Sequence, residues 1–289
     1  MSAFEAAPTV AASDPPAVAV PDPPPGAASS AQAAWQPPLL WRALLLLARV
    51  VAPWFCRLRV IDEIPAELRG GPLILASNHI GTFDPIALAA ACARRDLAPR
   101  ILATGGLFRA RVVGPALRHC GHIQVNRRDA SAVEALTAAT TAVQEGSVVA
   151  GYPEGRITLD PGMWPEQGRS GMARLALCTG VPVVPVSQWG AHEVMTWDAP
   201  RSMVGRLFVP VWRRPVVWVR FGAPVDLAGL TDDVPRHAVE ATNRIMGAIT
   251  DGLRPLRADE PVLPRFVDPY RPVSSARTFR GGAQASSRL

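Results

Sequence analysis

The strongest constraint on the fold is an alternation of short apolar runs with helix-like segments between residues 72 and 253. A short apolar run bounded by turn residues is typical of a buried strand, and a longer run with helical periodicity is typical of a helix. The alternation predicts a single α/β domain with a mixed central sheet flanked by helices. The predicted strands are 72–78, 100–105, 122–127, 147–153, 181–187 and 214–222, and the predicted helices are 85–95, 107–120 with a break near Gly114-Pro115, 130–146, 169–180 and 234–253.

The two ends of the chain differ in composition from this middle part. Residues 1–37 contain no Lys or Arg and are dense in Ala and Pro, and residues 255–289 are rich in Arg, Pro, Ser and Gly. Such segments bury too little apolar surface to offset the entropy lost on ordering. We therefore expect both ends to be disordered, with an N-terminal helix over 38–57 and the folded domain over 58–254.

Residues 38–57 form the most apolar stretch near the start, but Arg42 and Arg49 interrupt it. A spanning helix needs about 20 mainly apolar residues, so this segment is too broken to predict a membrane span. The two arginines are seven residues apart, which places them on one helical face. The pattern favours a helix lying in the lipid interface, with packing against the domain as the alternative. Pro53 is expected to end or kink the helix.

The basic residues limit the classes of ligand that the chain is expected to bind, and the cysteines indicate its redox compartment. All 30 basic residues are Arg, and the formal net charge is +6. Arg binds phosphate through a bidentate fork, yet these arginines are scattered and accompany no nucleic-acid-binding motif. We expect most of these arginines to result from a coding sequence rich in G and C. A few are expected to bind phosphate, and none to bind nucleic acid. The four cysteines form no Cys-x-x-Cys pair, which favours a reduced compartment.

The segment SNHIGTFDP places His79 and Asp84 where a predicted strand gives way to a helix. Five residues is not a regular helical spacing, but a turn containing Gly81 can bring the two side chains within hydrogen-bond reach. A histidine titrates near neutral pH and suits a general base, and a carboxylate can orient the imidazole. The alternative is a helix start with Asp84 and Pro85 in its first turn.

Two further segments place polar residues after predicted strands. GHIQVNRR delivers Arg127 and Arg128 at a strand end, either as a phosphate-binding pair or as solvated surface residues. GYPEGRIT puts Glu154 in a turn directly after a buried strand, and Gly155 would let the backbone approach a ligand. An ordinary turn is the alternative for this second segment, because Pro and Gly are common turn residues.

The run VPVVPV at 181–186 holds two prolines. Because Pro is normally excluded from central strands, this run is predicted to lie at a sheet edge or along a ligand groove. The sequence has no P-loop, dinucleotide-binding or zinc signature, and His119 and His122 lack further ligands nearby, so no metal site is expected. His192 and His237 are expected at the surface.

In their order and spacing, these segments resemble four blocks of the glycerolipid acyltransferase superfamily, most closely bacterial 1-acyl-sn-glycerol-3-phosphate acyltransferases. The likeness extends from about residue 40 to residue 250. The matching positions are His79 and Asp84 in the first block, Gly121, Ile123, Val125 and Arg127 in the second, Tyr152, Pro153, Glu154 and Gly155 in the third, and 181–186 in the fourth.

The resemblance implies a role for each block. His79 would be the general base and Asp84 its orienting partner, while Arg127 would hold the phosphate of the acceptor. Glu154 and Gly155 would help to bind the glycerol phosphate. The residues implied to line the acyl or donor groove are Val181, Pro182, Val183 and Pro185.

The third block departs from the family pattern in two ways. Tyr152 stands where Phe is usual, which is a mild change. The family pattern continues Thr/Ser-Arg-Ser after the glycine, whereas this chain has Arg156 followed by Ile157 and Thr158. The arginine is thus one residue early, and Arg156 is a substrate-binding candidate only if the loop turns differently. The sequence therefore constrains the identity of the acceptor less than it constrains the type of reaction.

The predicted activity is transfer of a fatty acyl group from acyl-CoA or acyl carrier protein to a lysophospholipid hydroxyl, with 1-acylglycerol 3-phosphate giving phosphatidic acid. No metal or bound cofactor is implied, and the partners are membrane lipid and the donor. The predicted location is the cytoplasmic face of the cell membrane, peripheral or monotopic. The alternatives are another lyso-lipid or glycerol 3-phosphate as acceptor, hydrolysis by the same residue pair, and a non-catalytic lipid-binding module.

Overall fold

The described chain is built on one mixed sheet of seven strands. This computed structural model describes residues 35–126, 129–195, 197 and 214–279. The expectation for the N-terminal end therefore stays a prediction, because residues 1–34 lie outside that range. The strands are β1 Arg57–Ile61, β2 Leu73–Ser77, β3 Arg100–Thr104, β4 Ile123–Val125, β5 Val148–Gly151, β6 Val183–Trp189 and β7 Val216–Phe221.

The strands lie in the order β1-β7-β6-β2-β5-β3-β4. Neighbours from β6 through β4 are parallel, β7 is antiparallel to β6, and β1 is parallel to β7. The predicted α/β class with a mixed sheet is confirmed. The strand absent from the prediction is β1, an edge strand in which Arg57 and Arg59 alternate with Leu58 and Val60.

Seven helices accompany the sheet in the described residues. The predicted helix over 107–120 is two helices, and they separate at residues 110–112 rather than at Gly114-Pro115. A Cβ on Gly114 would lie 2.1 Å from the Phe108 carbonyl oxygen, so the glycine lets the two helices meet closely. The helices are α1 Leu39–Phe55, α2 Asp84–Ala93, α3 Gly105–Arg109, α4 Val113–His119, α5 Asp129–Gln144, α6 Gly171–Thr179 and α7 Pro235–Leu256, and two short 3-10 helices are Ala66–Leu68 and Ala191–Glu193.

The core lies on both faces of the sheet. All five residues of β2 are buried, because Leu73 and Leu75 face one apolar cluster and Ile74 and Ala76 face the other. The first cluster includes apolar residues of α2, and the second includes apolar residues of α5, α6 and α7. Burial on both faces explains why β2 is a continuous apolar run rather than an alternating one.

Helix α1 packs against α2 through part of its surface. Trp41, Leu45 and Ala52 are buried, and Pro53 lies inside the helix, which continues to Phe55. Much of the remaining apolar surface of α1 is exposed. Among the described residues, no helix has both the length and the apolarity that crossing a membrane requires. The exposed apolar residues of α1 are Leu39, Leu40, Leu44, Leu46, Leu47, Val50 and Trp54.

The C-terminal end departs from the prediction. Helix α7 passes the expected boundary at Arg254, and residues 257–279, which we call the C-terminal strap, pack against the loop that follows β5. The backbone N–H groups of Ser274 and Phe279 donate to the carbonyls of Leu159 and Pro165 at 2.7 and 2.9 Å. The prediction of disorder was therefore wrong for 255–279. The prediction of disorder was based on amino-acid composition, and composition does not show which backbone groups will form hydrogen bonds.

Candidate active site

The candidate active site lies at the carboxyl ends of two adjacent parallel strands. His79 follows β2 by two residues, and the loop beginning at Tyr152 follows β5. Because β2 and β5 pair in parallel, their carboxyl ends meet at the same edge of the sheet. The first and third predicted segments are thus brought together, at the usual place for ligand sites in open α/β sheets.

His79 and Asp84 form a hydrogen-bonded pair, with 2.7 Å between the imidazole Nδ1 and the carboxylate Oδ2. The same oxygen accepts from the backbone N–H groups of Ile80 and Gly81 at 2.6 and 2.8 Å. Asp84 is the first residue of α2 and is completely buried, whereas 16% of the His79 side chain is exposed. The turn therefore brings together two side chains that are five residues apart in sequence.

This hydrogen bond assigns the tautomer of the imidazole. The carboxylate faces Nδ1, so the neutral ring of His79 keeps its proton there and presents an unprotonated Nε2. A partly exposed imidazole with a buried carboxylate behind it is the arrangement of a general base. The two side chains can thus take a proton from a bound hydroxyl.

Gly81 allows the turn to pack closely against the rest of the domain. A Cβ on this residue would lie 3.1 Å from the Cα of His192, in the 3-10 helix that follows β6. Any larger side chain would push the turn away from that helix. The glycine predicted to fold His79 back toward Asp84 is thus also required for tertiary packing.

Tyr152 fixes the plane of the His79 imidazole ring. Its ring stacks on the imidazole of His79, with 4.2 Å between centroids and 20° between planes. Burial raises the pKa of the Tyr152 phenol well above its ordinary value, and the nearby Asp84 carboxylate adds to this, so the hydroxyl stays neutral. A Phe at this position would supply the same stacking surface, which explains why the Tyr-for-Phe change is mild.

Glu154 holds the backbone of the turn that contains His79. Its Oε1 accepts from the N–H of His79 at 2.8 Å, and its Oε2 accepts from the N–H of Glu166 at 2.9 Å. The side chain is completely buried, and this burial raises its pKa to about 8. The implied role in binding the acceptor is therefore corrected, because both oxygens face protein N–H groups and neither faces solvent.

Arg156 is engaged by a protein carboxylate. Its Nε and Nη2 each lie 2.8 Å from an oxygen of the buried Glu166, in a bidentate arrangement. The fork that would bind a phosphate is thus occupied, and the structure gives Arg156 a structural role instead of the implied one. Gly155 has a φ of +70°, and a Cβ there would lie 2.9 Å from the Nε of Arg169, so the loop requires glycine.

Arg127 lies outside the described residues, and its implied contact with phosphate stays a prediction. Strand β4 ends at Val125. It belongs to the parallel set that includes β2 and β5, so the chain leaves β4 at the same edge of the sheet as the His79–Asp84 pair.

The fourth predicted segment is not part of this site. Val181 and Pro182 precede β6 at its amino end, where the N–H of Ile74 donates to the Pro182 carbonyl at 3.0 Å. Val183 pairs with Ile74 and is completely buried. These residues therefore lie at the edge of the sheet opposite to the site, and the implied role in an acyl or donor groove is corrected.

Pro185 is also buried, in a central strand rather than the predicted edge strand. Its carbonyl accepts from the N–H of Gly222 at 2.8 Å, just after β7 ends at Phe221. Pro185 thus faces the side of β6 where the partner strand has already ended. The missing N–H costs no ladder hydrogen bond there, which is how a central strand accommodates this proline.

His192 is buried at the site, although the sequence analysis placed it at the surface. Only 3% of the residue is exposed, and its ring lies 4.8 Å from that of Trp189. Burial lowers its pKa to about 3, and Arg271 and Arg257 lower it further, so the ring is neutral at physiological pH. Its position after the carboxyl end of β6, a strand parallel to β2, was the signal that could have identified it.

Comparison with known proteins links this geometry to a family. A family model described as Acyltransferase matches residues 57–189, from β1 to the end of β6, and contains His79, Asp84 and Glu154. Uncharacterized proteins of Mycobacterium tuberculosis and Mycobacterium bovis are 29% identical over 239 aligned residues. That alignment covers 71% of this chain and 63% of those relatives, so the chain spans less than two thirds of their length.

A plant relative and a solved structure carry more specific names. The 1-acyl-sn-glycerol-3-phosphate acyltransferase BAT2 of Brassica napus, a chloroplastic protein, is 29% identical over 186 residues, covering 64% of this chain and 50% of that protein. The 1-acyl-sn-glycerophosphate (LPA) acyltransferase PlsC from Thermotoga maritima shares the fold, with a TM-score of 0.55 and 20% identity over 75% of this chain and 80% of that one. The paired His79 and Asp84 lie inside the matched range, so residues 57–189 are similar to the Acyltransferase family in sequence and contain this hydrogen-bonded pair.

Proposed function

We propose that this chain is an acyltransferase that moves a fatty acyl group from a thioester to the free hydroxyl of a lysophospholipid at a membrane surface. The proposed acceptor is 1-acylglycerol 3-phosphate, and the product is phosphatidic acid. The observation that carries the proposal is the hydrogen bond of 2.7 Å between His79 and Asp84, with the imidazole partly exposed and the carboxylate buried. The names of the Brassica and Thermotoga proteins support this choice of acceptor.

The proposed reaction is a direct transfer. The Nε2 of His79 takes the proton of the acceptor hydroxyl while the oxygen attacks the thioester carbonyl. Asp84 stabilises the imidazolium that forms, through the hydrogen bond to Nδ1. As the tetrahedral intermediate collapses, the carbon–sulfur bond breaks, and the imidazolium returns its proton to the thiolate. Because the thioester is already activated, this step calls for no metal or bound cofactor.

Substrate binding is proposed from the sequence and the topology. Arg127 would bind the phosphate of the acceptor, since an arginine fork matches phosphate oxygens. The carboxyl end of β4, just before Arg127, lies at the same sheet edge as the dyad, which supports this role. The proposed donors are acyl-CoA and acyl carrier protein.

The proposed location is the cytoplasmic face of the cell membrane, without a spanning segment. Helix α1 supports this location because it exposes leucines and Trp54 next to Arg42 and Arg49. Apolar side chains would enter the interface while arginines contact anionic headgroups.

The first test is acyl transfer by the purified chain to lysophosphatidate in liposomes, with labelled acyl-CoA as donor. His79→Ala should lower kcat by about 10²-fold or more, because the general base is lost. His119→Ala is the matched control, since it removes an exposed histidine at the end of α4. Wild-type turnover by a folded His79→Ala variant would contradict the assignment of the base.

The second test identifies the substrates. A panel of lyso-lipids and glycerol 3-phosphate, each with acyl-CoA and with acyl carrier protein, compares acceptors and donors by kcat/KM. Arg127→Ala should mainly raise the KM for acceptors that carry a phosphate. Release of free fatty acid without an acceptor would instead indicate a hydrolase. Lipid binding without turnover of any pair would indicate a binding module.

A further inference from the structure

A buried arginine of the C-terminal strap contacts the catalytic turn from outside the range matched by the family. Arg271 is only 9% exposed. Its Nη1 donates to the carbonyl oxygen of Ile80 at 2.6 Å, and its Nη2 donates to the carbonyl oxygen of Thr158. One side chain thus bridges the loop after β2 and the loop after β5.

Both contacted residues lead directly to the catalytic histidine. Ile80 follows His79 in the chain, and its N–H donates to the Oδ2 of Asp84 at 2.6 Å. The N–H of Thr158 donates to the carbonyl of His79 at 2.7 Å. Glu154 already holds the N–H of His79, so Arg271 completes a set of hydrogen bonds around the peptide units of the turn.

We infer that Arg271 is a positioning residue for the reaction, which fixes the His79 turn through the carbonyls of Ile80 and Thr158. The inference rests on the proposed function of the dyad. It adds that the C-terminal strap is part of the catalytic architecture.

An ion pair does not account for the burial of this arginine. Within the described ranges, no carboxylate oxygen lies within 4.0 Å of its guanidinium nitrogens. Loss of hydration lowers the pKa of Arg271. Four acidic side chains nearby offset part of that effect, and these are Asp84, Asp268, Glu154 and Asp160. Its two described hydrogen bonds go to backbone carbonyls, which is the arrangement expected of a group that holds loops.

The strap presents Arg271 through a turn of its own. The N–H of Arg271 donates to the carbonyl of Asp268 at 3.1 Å, and the Oδ1 of Asp268 accepts from the N–H of Tyr270 at 3.0 Å. Asp268 is buried, and its Oδ2 accepts from the N–H of Trp197. The side chain is therefore aimed by a fixed turn and not by a free chain end.

The geometry requires a planar fork. Two N–H groups of one guanidinium reach two carbonyls on different loops, and a lysine ammonium is a point charge on a flexible stem that does not reproduce this span. Arg271→Lys therefore keeps the charge and can keep one of the two carbonyl contacts, but it loses the bridge between the two loops. Arg271→Gln keeps a hydrogen-bond donor and loses both the charge and the bridge.

The experiment compares these two variants with Arg265→Gln in the acyl-transfer assay. Arg265 lies on the same strap but is exposed, and it pairs with Asp259 at 3.1 Å. Arg271→Gln should lower kcat by about tenfold to 100-fold with the acceptor KM within about twofold, because a misplaced base loses rate and not binding. Arg271→Lys should recover part of that loss, and Arg265→Gln should match the wild type.

Hydrogen–deuterium exchange over residues 79–84 supplies a readout that does not depend on catalysis. Exchange of the Ile80 and Gly81 amides should be faster by about tenfold in Arg271→Gln and unchanged in Arg265→Gln. If exchange is faster in Arg271→Gln but the wild type shows no acyl transfer, the proposed function is refuted. The contact between Arg271 and the His79 turn is then still supported. Unchanged kcat in a folded Arg271→Gln variant would overturn the positioning role. If that variant does not fold, a wild-type kcat in Arg271→Lys would overturn it.

Discussion

At the residue scale, two buried carboxyl groups organise the His79 turn by accepting from its backbone. Glu154 accepts from the N–H of His79, and Asp84 accepts from those of Ile80 and Gly81. These three N–H groups are therefore committed to the protein. In the proposed reaction, an oxyanion formed from the thioester would therefore find its hydrogen-bond donors outside these three N–H groups.

The orienting role of Asp84 can be tested by Asp84→Asn. An asparagine carbonyl oxygen in the place of Oδ2 can still accept from the imidazole Nδ1 and from the two backbone N–H groups, but a neutral amide stabilises the imidazolium far less than a carboxylate does. We expect kcat to fall by about 10²- to 10⁴-fold, with a small change in the acceptor KM. Steady-state acyl transfer is the measurement, with Asp232→Asn, an exposed residue 3.9 Å from Arg174, as control. Full activity of a folded Asp84→Asn variant would remove the carboxylate from the mechanism.

Glu154 should make stability depend on pH. Its folded pKa is about 8, against an ordinary value of 4.5, because burial disfavours the carboxylate. Between these values the unfolded state holds fewer protons, so the contribution of Glu154 to the free energy of unfolding falls as the pH rises. We therefore expect the free energy of unfolding of the wild type, relative to Glu154→Gln, to fall between pH 5 and pH 8.

Urea unfolding at pH 5, 6, 7 and 8 measures this difference. Glu67→Gln is the control, because it makes the same substitution at an exposed position. The buried His192 acts in the opposite direction, since its pKa of about 3 destabilises the fold as the pH falls below about 6.5. The comparison with Glu154→Gln cancels that effect. A difference independent of pH would show that Glu154 is not buried as a neutral acid.

At the element scale, the sequence predicted elements that are buried on both faces. It missed features that depend on contacts with parts of the chain distant in sequence. Strand β2 was predicted because both of its faces are apolar, and β1 was missed because its arginines alternate at the sheet edge. The dyad was predicted because His79 and Asp84 are close in sequence. Glu154 was misassigned because a glutamate in a turn is indistinguishable, in sequence, from one facing solvent. Only the N–H groups of His79 and Glu166 around it reveal its role.

Helix α1 gives the prediction that belongs to this scale. Leu46 and Leu47 are 61% and 55% exposed, so replacing both with serine removes apolar surface without opening the core. We expect the affinity for anionic liposomes to fall by about tenfold or more, since each leucine contributes about 1.5–3 kcal/mol when fully buried.

Cosedimentation with liposomes measures this change, and the urea unfolding midpoint should stay the same. Val239→Ser is the matched control, because Val239 is 58% exposed on α7. Unchanged liposome binding in the double variant would mean that α1 is not the membrane contact.

At the scale of the whole molecule, the C-terminal strap was invisible to the sequence analysis for a physical reason. Composition counts arginine as a residue that seeks solvent, and the strap is rich in it. Yet Arg257 and Arg271 are buried, and their hydrogen-bond partners are carbonyls contributed by distant parts of the chain or by the strap itself. Carbonyls are present at every residue, so no sequence pattern marks the ones that an arginine will contact.

Arg257 shows how strongly this strap is joined to the domain. It is 1% exposed, and its guanidinium lies 3.9 and 4.2 Å from the ring centroids of Trp164 and Trp189. Its Nη1 donates to the carbonyl of Gly162 at 2.7 Å, and its Nε and Nη2 donate to that of Glu260. Trp189 ends β6 and Trp164 lies in the loop after β5, so one side chain connects the strap, the loop and the sheet.

Arg257→Met should therefore destabilise the whole domain by about 2–4 kcal/mol, through lost hydrogen bonds to buried carbonyls and lost cation–π contacts. Arg254→Met is the matched control one turn earlier on α7. Arg254 is exposed, pairs with Asp251 at 3.2 Å and lies 6.0 Å from the Trp164 ring, so its loss should cost less than about 1 kcal/mol. Urea unfolding compares the two variants. Equal midpoints would mean that the strap is attached to the surface without stabilising it. A lower midpoint for Arg257→Met, with one cooperative transition, means that the strap and the sheet unfold together.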